Sequence, residues 1–207
     1  MSIALSPADW LARLPGNRGE RFVLAFEHGT LSVELYAPRG TDPQQPHARD
    51  EVYVVVSGSG TFVHGASRAP FAAGDLLFVA AGVPHRFEDF SDDLVVWVLF
   101  HGPEGGELHG STVSASLRPR SAFEHGTLRV KLSEPRGVNR QEPHAQDEVY
   151  VVTRGSGTLV HGEQRSAFRA GDLMFVEAGL HHHFDDFSGD LAVWVVFFGP
   201  DQSTLSA

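Results

Sequence analysis

The sequence predicts an all-β protein made of two tandem copies of one domain, preceded by a short helix. A gapless internal repeat and short, β-branched runs punctuated by glycine predict it. Phe26-Glu27-His28-Gly29-Thr30-Leu31 recurs as Phe123-Glu124-His125-Gly126-Thr127-Leu128, an offset of 123 − 26 = 97. The same offset carries His47 to His144, Glu51 to Glu148, His64 to His161, His85 to His182 and Trp97 to Trp194. About two thirds of the positions from Ala25 to Pro103 match their partners, which two copies of one domain explain simply.

Ser6-Pro7-Ala8-Asp9-Trp10-Leu11 reads as an N-cap, a proline at the first helical position and the apolar start of a short helix. Within a copy, Glu51-Val52-Tyr53-Val54-Val55-Val56 reads as a strand, Gly58-Ser59-Gly60 as a turn and Thr61-Phe62-Val63 as the next strand. Leu76 to Val79 and Leu94 to Phe100 complete a pattern of barrel or sandwich type. Glu104-Gly105-Gly106-Glu107 opens a small, polar stretch without apolar periodicity. The expected division is a first domain with its helix over 1–104, a linker over 105–120 and a second domain over 121–207.

The 207 residues suffice for two cores of ordinary composition, with 42% hydrophobic and 20% charged residues. No apolar run is long enough to cross a bilayer, and the N-terminus lacks a basic stretch followed by an apolar core, so a cytoplasmic protein is expected. Zero cysteines exclude disulfides, thiolate metal sites and cysteine nucleophiles. A net charge of −10 repels phosphate backbones and anionic lipid, so neither nucleic acid nor membrane is an expected partner. Small molecules remain. No Ser/His/Asp order or phosphate-cradling loop is present, because Gly-Ser-Gly at Gly58 and Gly155 leads into a strand rather than a helix.

Pro46-His47-Ala48-Arg49-Asp50-Glu51, then Gly58, Gly74-Asp75, Gly82 and His85, resembles the two sequence motifs of the cupin superfamily. Pro143-His144-Ala145-Gln146-Asp147-Glu148, Gly155, Gly171-Asp172, Gly179 and His182 repeat the pattern. The resemblance covers nearly all of both copies and implies a bicupin: two jelly-roll β-barrels related by pseudo-two-fold symmetry, an intramolecular pseudo-dimer that is compatible with a further homodimer. It departs from the family at two places. The family's first motif opens with His-x-His, where this chain has Gln45 and Glu142, and a proline of the second motif is replaced by Ala80 and Glu177.

The resemblance makes His47, Glu51 and His85, and again His144, Glu148 and His182, the ligands of one divalent metal per domain. Imidazole and carboxylate suit Fe, Mn, Co, Ni, Cu or Zn, and three such ligands leave open positions for water, dioxygen or substrate. Gln45 and Glu142 lie two residues before His47 and His144, an even spacing that puts each on its histidine's face in extended chain, where the family places a further ligand, and a carboxylate there would favour metal in copy two. In a straight strand His47 and Glu51 would lie about 13 Å apart at ~3.3 Å per residue, too far for one ion, so a bend is expected at Ala48-Arg49-Asp50.

Period-two alternation puts Phe87 and Phe184 on the inward face with His85 and His182, as apolar pocket lining, and turns His181 and His183 away. His64 and His161, four residues beyond the glycine turns, fall by hairpin pairing near Tyr53 and Tyr150, with pocket lining and surface both open to them. A metal-dependent enzyme acting on a small organic molecule is the leading expectation, with oxygen-dependent cleavage as in a dioxygenase first. Non-redox isomerisation or lyase chemistry, or ligand binding without catalysis, are the alternatives, because one fold hosts many functions.

Overall fold

The computed structural model describes residues 2–107, 122–139 and 141–200, so most of the expected linker over 105–120 lies outside the described residues. The chain divides into two compact units, Pro7–Pro119 and Met1–Ser6 with Arg120–Ala207. Strand β1 (Ser2–Leu5) therefore belongs with the second copy, where it pairs antiparallel with a strand of that unit, although it precedes the first copy in sequence.

The first unit holds helix α1 (Pro7–Leu11) and strands β2 (Phe22–His28), β3 (Leu31–Tyr36), β4 (Asp50–Ser57), β5 (Ser59–His64), β6 (Ser67–Ala72), β7 (Leu76–Val79), β8 (His85–Glu88) and β9 (Val95–His101). The second unit repeats it with β10 (Ala122–His125), β11 (Leu128–Ser133), β12 (Asp147–Arg154), β13 (Ser156–His161), β14 (Gln164–Arg169), β15 (Leu173–Val176), β16 (His182–Asp185) and β17 (Ala192–Phe198).

Each unit is a pair of open sheets. The first has a five-stranded sheet in the order β2-β3-β9-β4-β7 and a three-stranded sheet β6-β5-β8; the second has β1-β15-β12-β17-β11-β10 and β14-β13-β16. None of these sheets closes on itself, which corrects the expectation of jelly-roll barrels. Ladder pairing stops between the large and small sheets, and side chains join them instead. Tyr36, Tyr53, Val55, Leu77, Val79, Val96 and Val98 of the large sheet form one buried cluster with Phe62, Phe71 and Phe87 of the small one. Tyr150, Val152, Met174, Val176, Val193, Val195 and Phe197 meet Leu159, Phe168 and Phe184 in the same way. Facing sheets that interdigitate apolar side chains are a sandwich.

The turn at Gly58 does not make the expected hairpin. β4 pairs with β7 and β9, whereas β5 pairs with β6 and β8, so the chain passes from one sheet to the other at Gly58. Gly58 has φ +86°, and a Cβ there would lie 2.7 Å from the backbone of Leu94. Left-handed backbone and a collision with backbone act together at this position. Gly58→Ala is expected to destabilise the unit by about 2–4 kcal/mol, read from the urea midpoint. Gly65→Ala, at φ +55° with open space around it, serves as the comparison and should lose only about 1 kcal/mol.

Among the described residues no helix is long and apolar enough to cross a membrane.

Candidate metal centre

In the first unit the motif residues come from three segments. His47 lies in the irregular stretch ahead of β4, bends at Ala48 and Arg49 turn the chain, Glu51 is the second residue of β4, and His85 opens β8 of the opposite sheet. The turn is thus made before the strand begins, and it brings His47 Nδ1 to 2.5 Å from Glu51 Oε1. His85 Nε2 stands 3.5 Å from Glu51 Oε2. Asp50 supports the bend from below, accepting the backbone N–H groups of Ala81 at 2.8 Å and Glu107 at 2.9 Å.

One donor atom from each of His47, Glu51 and His85 lies within 4.8 Å of the others, and the same holds for His144, Glu148 and His182. The residues fit a divalent ion in three respects. Glu51 and His85 have buried side chains, 1% and 0% exposed, while His47 is 34% exposed and faces the opening. His85 Nδ1 stands 2.8 Å from the carbonyl of Val83, and donating to it fixes the tautomer that leaves Nε2 as a lone pair aimed at the cluster. His182 Nδ1 meets the carbonyl of Leu180 at the same distance. A buried carboxylate beside two imidazoles is a nitrogen and oxygen donor set with room for exchangeable positions.

Tyr53, expected only as pocket lining, reaches the centre itself. Its hydroxyl is 2.5 Å from Glu51 Oε2, 2.8 Å from Gln44 Oε1 and 2.9 Å from His85 Nε2. Tyr150 repeats this with Glu148 at 2.5 Å, Gln141 at 3.1 Å and His182 at 2.8 Å. Behind Gln44 stands Asp42, which accepts from Gln44 Nε2 at 2.8 Å, from the Tyr36 hydroxyl at 2.6 Å and from the backbone of Phe87 at 2.7 Å. Asn139 takes that place in the second unit, accepting from Gln141 and from the backbone of Phe184 at 2.9 Å each.

These networks tune the two centres differently. Burial alone would push the Glu51 carboxyl up, but the neighbouring His47, His85 and Tyr53 hold it below its ordinary value. Burial also pulls His85 down, and the hydrogen bond and charge of Glu51, helped by Asp42, reverse this and leave it raised. For His182 burial wins and the group is lowered, with a neutral Asn139 where Asp42 stands in the first unit. Burial and the adjacent carboxylates keep Tyr53 and Tyr150 protonated, both far above the usual phenol value.

Gln45 and Glu142 are exposed and stand outside the ligand clusters. The even-spacing argument that aimed them inward needs extended backbone, and the stretch before His47 is irregular; the neighbouring Gln44 and Gln141 turn inward instead. Phe87 and Phe184 are buried in the clusters between the sheets, behind the tyrosines. His64 pairs in register with His85, and His161 with His182, rather than with Tyr53 and Tyr150. His64 is half-buried, and burial lowers its pKa. His181 and His183 are exposed.

A cavity of about 300 Å³ opens at His47, lined by Phe22, Glu34, Tyr36, Pro43, Gln44, Val98 and Phe100. Its counterpart of about 230 Å³ opens at His144, lined by Phe123, Glu124, Arg129, Val130, Lys131 and Phe197. Phe100 and Phe197 pack edge-on against the half-buried His47 and His144 at 5.1 Å in each case. Sequence reasoning missed Phe100, Phe197, Gln44 and Gln141. Both glutamines are identical between the copies, a signal that was available.

Comparison with known proteins agrees with the fold. An uncharacterized protein of Streptomyces coelicolor is 47% identical over 76 residues, 36% of this chain and 72% of that protein. Salicylate 1,2-dioxygenase from Pseudaminobacter salicylatoxidans shares the fold at TM-score 0.72 and 15% identity, over 100% of this chain and 86% of that one. AerE from Microcystis aeruginosa does so at TM-score 0.63 and 12% identity, over 86% of this chain and 93% of that one. The cupin-domain family model matches residues 32–101 and 130–198, and the chain belongs to the cupin family through both of its copies.

Proposed function

We propose that the protein is a metal-dependent enzyme acting on a small organic molecule, with oxygen-dependent cleavage as the reaction. The observation that carries this reading is the three-ligand cluster, closed on its buried side by Glu51 and His85 and open through His47 to an apolar cavity. Such a centre supplies a Lewis acid with positions left for substrate and dioxygen. The chain's own residues do the rest. Phe100, Val98 and Tyr36 exclude water and seat an apolar substrate body. Gln44, anchored by Asp42, holds the Tyr53 hydroxyl against Glu51 and His85, so a proton is kept at Tyr53 Oη beside the ligand atoms. The structural likeness to salicylate 1,2-dioxygenase supports an oxygenase, and a small-molecule partner and cytoplasmic location belong to the same proposal.

Elemental analysis of the purified protein, followed by oxygen-electrode assays with catechol, flavonol and β-diketone panels, tests it. A redox-active metal with oxygen uptake is the expected result. A protein that holds only zinc and consumes no oxygen on any panel overturns the oxygenase. The tyrosine proton shared between carboxylate and imidazole favours non-redox isomerase or lyase chemistry as the second reading. Substrate-dependent proton exchange with solvent deuterium, without oxygen uptake, would select it.

A further inference from the structure

The two copies keep the same ligands but not the same rim. Subtracting the repeat offset, 131 − 97 = 34 and 129 − 97 = 32, so Lys131 stands at the position of Glu34 and Arg129 at that of Ser32. Glu34 pairs with Val98 in its sheet, and Lys131 with Val195 at the equivalent place. One cavity therefore carries a carboxylate where the other carries an ammonium.

Arg129 and Lys131 are two residues apart on β11 and so project from one face. The guanidinium carbon of the first and the Nζ of the second each lie 4.9 Å from the centre of the Phe197 ring. That ring in turn packs against His144, which puts two cations over the cavity beside the metal ligands. Arg129 donates Nε–H to Gln146 Oε1 at 3.1 Å, and Lys131 Nζ stands over the Phe197 ring. Both side chains are exposed and can turn to an incoming ligand. Glu124 also lines this cavity and offsets one of the two charges, leaving a net charge of +1.

The first rim is different. Glu34 lines its cavity, and Glu27 occupies the position of Glu124. Arg49 lies 5.5 Å from the Phe100 ring, but its guanidinium donates to the carbonyl of Thr30 at 2.9 Å and to Ser32 Oγ at 2.6 Å, and it does not line the cavity. Glu34 is the one carboxylate in the lining of this cavity, which holds no Lys or Arg, so this rim has a net charge of −1.

We infer that the two sites have diverged in ligand charge: the second takes a small organic anion, a carboxylate on an apolar body, and the first takes an uncharged or cationic molecule. The apolar body lies against Phe197 and Phe123, and the carboxylate accepts from Lys131 and Arg129. This rests on the proposed function only for the use of these cavities as substrate sites.

The test is a fluorine NMR titration of the protein as purified, its metal content known, with para-fluorobenzoate and with para-fluorobenzyl alcohol as the uncharged probe of similar shape. Lys131→Glu is expected to weaken benzoate binding by at least about tenfold while changing alcohol binding by less than about threefold. Glu34→Lys is expected to create a second benzoate site of comparable affinity. Both side chains line open cavities, so the variants are expected to fold, which circular dichroism checks. Benzoate binding that is absent, or indifferent to Lys131→Glu, or equal at both sites of the unaltered protein, overturns the inference. If benzoate binds through Lys131 to a protein that holds no metal, the inference stands and the metal-enzyme reading falls. If metal is present and benzoate ignores Lys131, the inference alone falls.

Discussion

Glu51→Ala is expected to remove one of two bound metal equivalents, and Glu148→Ala the other, with the affinity of the altered site falling more than about 100-fold. Each glutamate is the only carboxylate in its cluster, and each is held from behind by a tyrosine hydroxyl at 2.5 Å. Removing it leaves two imidazoles and a neutral phenol, which cannot balance a divalent charge in a buried site. The single-site variants also rank the centres. The first copy is surrounded by Asp42 and Glu34, the second by Asn139, Lys131, Arg129 and Glu124, which leaves the second the more positive. Glu148→Ala, which keeps the first site, should therefore hold its remaining metal about tenfold more tightly than Glu51→Ala, as measured by chelator competition with metal counting. Equal affinities would show that the surrounding charges are screened by solvent, and the reverse order would sink the electrostatic argument. This ranking is opposite to the one suggested by Glu142 against Gln45, and those two side chains are exposed.

What the sequence made legible followed from identity at a fixed offset. The repeat located both clusters, because the ligands recur at positions 47, 51 and 85 plus 97. The bend between His47 and Glu51 was legible too, since two ligands four apart cannot share an ion in extended chain. Side-chain direction was not. β4, β7 and β17 are buried at nearly every position, so their apolar runs have no period of two from which to read a face. Counting inward by twos from His47 consequently chose Gln45, in backbone that is not a strand, and missed Gln44. Nor does local sequence reveal a change of sheet. Gly58-Ser59-Gly60 carries a hairpin signal, and the ladders show a crossing instead, because the partners of β5 lie after it in the chain, at β6 and β8. The swapped strand β1 gave no signal, being four residues whose partner is Leu173 to Val176. Open sheets rather than a closed one are likewise a matter of edge pairing, which apolar patterning does not encode.

Phe87→Ala is expected to destabilise the first unit by about 3–5 kcal/mol. The side chain is 1% exposed and sits at the meeting of the two sheets, with ring centres 5.4 Å from Tyr53, 5.0 Å from Phe62 and 5.1 Å from Phe71. Three aromatic neighbours held by strands of both sheets cannot collapse into the space it leaves, so the cavity term adds to the lost transfer energy. Its role is to fill the core behind the centre rather than to line the substrate cavity, and this makes the outcome specific. Tyr53 loses the edge-on ring that fixes its tilt, so the hydroxyl between Glu51 and His85 loosens as the unit loses stability. Thermal unfolding should show one transition of the two-unit chain shifted down and the other unmoved, because the second unit keeps Phe184 at the matching place. Metal should remain bound to the second site throughout. A variant that keeps both transitions within about 1 kcal/mol of the unaltered protein would mean that the ring is not a wedge between the sheets.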